Sequence, residues 1–334
     1  MRFLNETKFQ AELVRVARGP AQTAAAVVVK ATYDLCSPSL ELATWQLPVL
    51  REPAELDGCD FGPDTILSKE GVDILIIGQA QAPGSSTRMM IVEASIEQAS
   101  GQASSCWHRR AAVFGHRQWQ RSRLRYTPSN PASFCSLPMT WTNAFGGIAT
   151  SGGAPAPHPG NPTGRGYVLD LDRGLSDLRL PHIEDPLHLI ERAGDAPTPR
   201  GFSPLPGTSA LRVLPALDPG SVTGVGRSIL NVAPPEHRLA ALSGGERVSL
   251  AGWAKGGQGV FEVPLAPLCV EVTIDRRRYT FTPEIDTLLI APTMGGTGRL
   301  VVTQRATFTY SYAAGVARVA RLRSLAQRGV SRAA

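Results

Sequence analysis

An alternation of apolar and polar residues with a period of two recurs along the chain, and the 3.6-residue period of an amphipathic helix is scarce. Residues 11–17 and 25–34 predict a first pair of strands around Gly19-Pro20. The second strand carries Val27-Val28-Val29-Lys30-Ala31-Thr32-Tyr33, whose β-branched density favours extended backbone. Residues 72–81, with Ile74, Leu75, Ile76 and Ile77, and residues 88–96 predict a second hairpin joined through Ala82-Pro83-Gly84-Ser85. Two more strand-like runs fill 105–126 on either side of Phe114-Gly115-His116-Arg117. The last third has the sharpest pattern. Leu268, Val270, Val272 and Ile274 share one face, Asp275 to Arg277 turn, and Tyr279 and Phe281 alternate on the return. Residues 286–291 and 299–310 supply further strands. Val316, Val319, Leu322 and Leu325 then recur every three residues, which predicts a short arginine-rich helix, with a frayed basic tail as the alternative.

Between the strands the chain is dense in turn formers, with 33 glycines and 27 prolines among 334 residues. Residues 143–166 carry too many of both for regular structure, yet interleave them with Asn143, Phe145 and Asn161, which predicts a long ordered loop. Residues 181–229 are irregular and Pro-rich. These readings combine into a mainly β protein: antiparallel sheets packed as a sandwich, long Gly/Pro-rich loops and a short C-terminal helix. Residues 1–312 form one β-rich domain, divisible into two sub-lobes near 143–166, and residues 313–334 an arginine-rich helix or tail.

Charge changes this picture in one place. The net charge is +6, but residues 313–334 hold five arginines (Arg318, Arg321, Arg323, Arg328, Arg332) and no acid, so the high pI is largely a property of the tail. Residues 98–169 contain no Asp or Glu and seven arginines (Arg109, Arg110, Arg117, Arg121, Arg123, Arg125, Arg165), a stretch expected to show positive potential to an acidic partner. The aromatics interleaved with them, Trp107, Trp119 and Tyr126, would suit a single nucleic-acid strand. On a strand, however, Arg121, Arg123 and Arg125 form one solvated stripe while the aromatics enter a core, and no nucleic-acid role is assigned. No apolar run approaches the ~20 residues of a membrane span. Met1 to Lys8 mixes acid and base where a signal peptide is apolar, so a cytoplasmic location is expected. Cys36, Cys59, Cys106, Cys135 and Cys269 are isolated and odd in number, which favours reduced core thiols over a zinc site or disulfides.

Signatures of phosphate binding, of a serine-hydrolase elbow and of a zincin helix are missing, and Gly224-Val225-Gly226 lacks the third glycine of a dinucleotide fingerprint. His182, Glu184, Asp185 and His188 could ligate one divalent ion, but Pro181 and Pro186 break the helix face such ligands exploit. No metal, cofactor or catalytic residue is assigned.

Five short motifs occur in fixed order: Gly115-His116-Arg117-Gln118-Trp119; Leu137-Pro138-Met139-Thr140-Trp141 running into Asn143-Ala144-Phe145-Gly146-Gly147; Asn161-Pro162-Thr163-Gly164-Arg165-Gly166-Tyr167; Leu180-Pro181-His182-Ile183-Glu184-Asp185-Pro186; and Arg200-Gly201-Phe202-Ser203-Pro204. Weaker matches lie upstream at residues 73–80 and downstream at 231–237, 244–246 and 283–288. Together they resemble a bacterial family catalogued as a domain of unknown function, number two-one-six-nine. The resemblance implies an adaptor or chaperone that loads a secreted effector onto the spike of the type VI secretion system, with the effector and a spike or spike-tip protein as partners. It implies no catalysis. The expected motif surface comprises Gly115, Arg117 and Trp119 with Arg121, Arg123 and Arg125; Asn143, Phe145, Gly146 and Gly147; Asn161, Pro162, Gly164, Arg165 and Gly166; and Pro181 and Glu184. The chain departs from the family pattern at His116, where an aspartate is usual. A β-sandwich hydrolase using acids such as Asp170, Asp172 and Glu184, and a structural component of the secretion apparatus, are the competing readings.

Overall fold

The computed structural model describes residues 1–334 apart from 20, 36–39, 99–104, 123–124, 152, 170–174, 176–177, 208, 210–230, 255–256, 312–315 and 326–334. Cys36, Arg123, Asp170, Asp172 and the extreme C-terminus thus lie outside the described residues. The fold is mainly β, and among the described residues no helix reaches seven residues.

The frame is a seven-stranded sheet. Its order is Arg238–Leu239, Val72–Ile76, Glu284–Ala291, Arg299–Ser311, Gln22–Asp34 and Gln10–Ala17, with Glu41–Leu42 added to the 22–34 strand. Two strands, Gln22–Asp34 and Arg299–Ser311, are 13 residues long, about 40 Å of extended chain. That length lets one sheet face carry two smaller sheets side by side. Over one end lies a five-stranded sheet ordered Ile183–Glu184, Ser105–Phe114, Met89–Glu97, Arg247–Ala254 and Gly257–Glu262. Over the other lies a four-stranded sheet ordered Arg2–Asn5, Arg318–Ser324, Leu268–Ile274 and Arg277–Phe281.

Alternation decides which side chains meet. Ala31, Tyr33, Leu300 and Val302 face Val92, Ala94, Ile96, Val248 and Trp253 in a first core. The same face further along presents Ala25, Val27, Val29, Ala306 and Phe308 to Leu268, Val270, Val272 and Leu322 in a second. Gln304 sits on this face between the two cores, and its side-chain amide donates to the carbonyls of Ala266 and Pro283, each at 3.3 Å. On the opposite face Leu75, Leu289 and Val301 are covered by Leu47, Cys59 and Phe61 from the loop-rich segment after the 22–34 strand. There the buried Lys30 is paired with Asp64 at 2.6 Å.

The 268–281 hairpin has the expected faces and a tight turn in which Asp275 (φ 43°) and Arg276 (φ 67°) take the left-handed conformation. Two expectations are corrected. Residues 72–81 and 88–96 do not pair: Val72–Ile76 is a central strand of the large sheet, parallel to Glu284–Ala291, whereas Met89–Glu97 belongs to the facing sheet. Every residue of Val72–Ile76 is buried, so its continuous apolar run is that of a strand covered on both faces rather than of a hairpin arm.

The C-terminal helix is also replaced. Arg318–Ser324 is a strand inserted between Arg2–Asn5, parallel, and Leu268–Ile274, antiparallel. The apolar period of three that predicts a helix is outweighed by a period of two. Ala320 and Leu322 are buried in the second core, while Arg321 and Arg323 point outward, Arg323 bonding Glu6 at 2.8 Å and Glu271 at 3.1 Å. These residues therefore complete the sheet instead of forming a separate tail.

Candidate functional site

The five motifs form one spatial unit beside the five-stranded sheet, and they are tied to each other. At its centre Phe145–Gly146 pairs in parallel with Arg165–Gly166. Asn161, fully buried, holds this crossing: its side-chain N–H groups donate to the carbonyls of Trp141 at 2.8 Å and Phe145 at 2.9 Å, and its own Oδ1 accepts from Thr163 at 3.0 Å. Pro162 and Thr163 make the turn, which the Gly164 amide closes onto the Asn161 carbonyl at 3.4 Å. Two glycines are required by contact. At Gly146 (φ 139°) a Cβ would collide with the Asn161 carbonyl, and at Gly164 one would meet the Ala144 carbonyl at 2.6 Å. Gly147 donates to the Asn161 carbonyl and Tyr167 to that of Gly146. The Phe145 ring is buried edge-on against His158 and Tyr167.

The remaining motifs lock onto this centre. The His182 amide donates to the Asn143 carbonyl at 2.8 Å, and the Phe114 amide, beside Gly115, to the His182 carbonyl at 2.8 Å. Asn143 in turn donates to the Pro138 carbonyl. Arg117 is 5% exposed and Glu184 1%; their side chains form a buried ion pair. Arg117 also donates to the Pro181 carbonyl at 2.7 Å and lies over the Phe114 ring at 4.0 Å. The other Glu184 oxygen accepts from the Ile190 amide at 2.8 Å. Burial pushes the Glu184 carboxyl above its ordinary range, and the Arg117 charge and the Ile190 amide pull against that rise. Trp119 packs with Phe145, Leu175, Leu180 and Ile190. Trp141 Nε1 donates to the Ser203 carbonyl at 3.0 Å, and Arg200 bonds Asp185 at 2.6 Å, which brings in the fifth motif. Burial opposes ionisation of Asp185, but Arg200 and the Leu187 amide outweigh it and hold its carboxyl below the usual value. Even the weaker matches are joined: Asn231 donates to Asp73 at 2.8 Å, and the Ser243 and Gly244 amides donate to the Glu246 carboxylate.

Most of the expected site residues therefore hold backbone in place. Of the histidines and acids of the 182–188 segment, His182 is bonded to the Phe114 carbonyl, Glu184 to Arg117 and Asp185 to Arg200, and His188 approaches Asp185 at 3.5 Å. Among the described residues no group of three His, Cys, Asp or Glu could hold a metal ion. The arginine stripe is rearranged. Trp119–Ser122 and Arg125–Pro128 form a hairpin in which Arg121 faces Tyr126 and Ser122 faces Arg125, so Arg121 and Arg125, both exposed, project from opposite faces. Arg165 is half-buried, donates to the Thr142 carbonyl at 2.8 Å, and has its pKa lowered by burial and by the nearby Arg179 charge. Burial, together with the charges of Arg165, His116 and Arg117, also lowers the pKa of His182, whose bond to the Phe114 carbonyl acts the other way. The His116 ring lies 6.5 Å from the His182 ring. Outward the unit shows Arg121, Arg125 and Arg179 with the apolar side chains of Ile148 and Leu187, the latter 80% exposed.

Two features have no signal in the sequence strong enough to single them out. His237 is 3% exposed, edge-on to both Trp107 and Phe202, and burial with the Arg109 and Arg200 charges takes its pKa down to about 3. A cleft of about 1420 Å³ opens beside residues 305–309 of the large sheet's strand Arg299–Ser311, lined by Phe281, Pro283, Thr307 and Phe308 among others.

No helix among the described residues is long and apolar enough to cross a membrane. Neither curated proteins nor solved structures provide a match to the chain. A family described as "Uncharacterized protein conserved in bacteria (DUF2169)" matches residues 21–305, most of the chain and all five motifs, and the protein belongs to that family.

Proposed function

We propose that the protein is a non-catalytic adaptor of a type VI secretion system, which binds an effector in the bacterial cytoplasm and presents it to a spike or spike-tip protein. The observation that supports this reading is the convergence of the five motifs into one unit whose charged and amide side chains are engaged within it. Arg117, Glu184, Asn161, Asp185 and Arg200 each bond another motif or its immediate flank, so their chemistry shapes loops. A scaffold of that kind offers a partner a fixed surface of loops and exposed side chains. The exposed Arg121, Arg125 and Arg179 make that surface complementary to an acidic partner.

The test is co-expression of the tagged protein with the products of neighbouring genes, followed by affinity purification and mass spectrometry. A stoichiometric complex with a toxin-like or spike-tip protein, weakened by Arg121→Glu together with Arg125→Glu, is the expected result. Recovery of the protein alone at low salt overturns the reading.

A further inference from the structure

The strand Arg299–Ser311 is paired along its whole length on one edge, from Arg299 opposite Asp34 to Ser311 opposite Gln22. On its other edge the partner Glu284–Ala291 stops where Glu284 faces Arg305. On that edge alternate residues of 306–310 consequently present backbone N–H and C=O groups to which no backbone is bonded among the described residues. This edge opens into the 1420 Å³ cleft. Side chains of both parities line the cleft: Ala306 and Phe308, which enter the second core, and Thr307 and Thr309, which point the other way. A cavity over one sheet face would be lined by one parity, because successive side chains point to opposite faces. The cleft therefore runs along the strand edge.

Its walls and ends define what fits. Phe281, stacked on Phe308 at 5.2 Å, and Pro283 form an apolar side, with Leu265 also lining the cleft. The ionic groups at the floor are already compensated, Arg305 by Asp286 and Lys69 by Asp73 at 2.9 Å. The cleft's exposed charges differ at its two ends. Glu284 stands opposite Arg305, and Arg18 lies just beyond Ala17, which pairs with Thr23, itself opposite Tyr310.

We propose that this cleft accepts an extended segment of a protein partner, added antiparallel to residues 306–310 as a further strand of the large sheet. Regularly spaced donors and acceptors on a strand edge are matched by another extended backbone. Five residues of it span about 17 Å. The segment carries alternate apolar side chains toward Phe281 and Phe308, an acid at the Arg18 end and a base at the Glu284 end. That its donor is a secreted cargo rests on the adaptor reading; the strand-accepting edge does not.

The test is amide hydrogen exchange of the full chain with the peptide acetyl-Glu-Thr-Val-Thr-Val-Thr-Lys-amide at about 1 mM, a concentration that detects weak binding. Exchange of those amides within 306–310 that point to the open edge is expected to slow roughly tenfold. The same peptide methylated on alternate backbone nitrogens keeps its side chains and is expected to give no protection. Arg18→Glu, at an exposed position, is expected to weaken the effect, and exchanging the peptide's Glu and Lys to restore part of it. Unchanged exchange at 306–310, or equal protection by the methylated peptide, overturns the proposal. Protection without cargo retrieval in the co-expression experiment retains the cleft and removes the adaptor reading; cargo retrieval without protection does the reverse.

Discussion

Replacing Arg117 by leucine tests whether the buried ion pair at the heart of the motif unit is structural. The substitution removes the guanidinium that faces Glu184 and leaves a carboxylate that is 1% exposed with the Ile190 amide as its remaining hydrogen-bond donor. Breaking a buried pair from one side costs about 3–5 kcal/mol, because the surviving charge is desolvated without compensation. For 334 residues an unfolding entropy of about 0.7 kcal/mol/K converts this to a fall of roughly 4–7 °C in Tm. The pH dependence has a definite sign. Without Arg117 the Glu184 carboxyl, already raised by burial, rises further, so the folded state binds its proton at pH values where the unfolded chain releases it. Stability of the variant then falls as pH rises from the ordinary carboxylate range through the raised folded value, and the deficit against wild type shrinks toward pH 5. Thermal denaturation followed by circular dichroism at several pH values reads both effects. Adding Glu184→Leu to Arg117→Leu should recover much of the loss. A deficit that is constant with pH, together with a double variant no more stable than Arg117→Leu alone, would refute the assignment of the loss to an orphaned carboxylate.

Three further outcomes are expected. Asn161→Ala removes two hydrogen bonds to buried carbonyls and should cost about 2–3 kcal/mol, measured by urea denaturation; a change under 0.5 kcal/mol would show that the crossing of Phe145 and Arg165 holds without it. His237, held neutral in the fold with a pKa of about 3, binds its proton in the unfolded chain below pH 6.5, so stability falls as pH drops through 6.5 toward 3. At pH 4.5 the loss is about 3 kcal/mol, and His237→Phe should flatten this part of the pH profile, whereas an unchanged profile would place the titration elsewhere. Leu322→Ala, in the strand that completes the second core, should cost about 2–5 kcal/mol by the same denaturation assay; a near-neutral effect would return these residues to a frayed tail.

Much of the strand pattern was legible because it is local. Period-two alternation sets the two faces of 268–281 whatever they pack against, and β-branched density marks the 22–34 strand, which is buried on both faces. The motif order was legible as well, but the expectation that 143–166 lacks regular structure is corrected: Ile148–Ser151 pairs antiparallel with Ala154–Pro157, and Phe145–Gly146 pairs with Arg165–Gly166. The roles of the motif residues were not legible. Arg117 reads as a surface cation until Glu184, 67 residues away, is found beside it in the core. Arg121 and Arg125 read as one stripe until the chain reverses between them.

By itself, then, the sequence determined the mainly β class, the positions of most of the longer strands, though not of Arg247–Ala254 and Gly257–Glu262, and the set of motifs that identifies the family. The tertiary structure alone decided that residues 72–76 and 89–97 belong to facing sheets, and that residues 318–324 complete a sheet with residues 2–5. It also decided where the strand 284–291 stops and leaves an edge open. The physical reason is the same in each case: a strand's hydrogen bonds and one of its faces are satisfied by segments distant in sequence, and which segments these are depends on burying all the apolar faces at once.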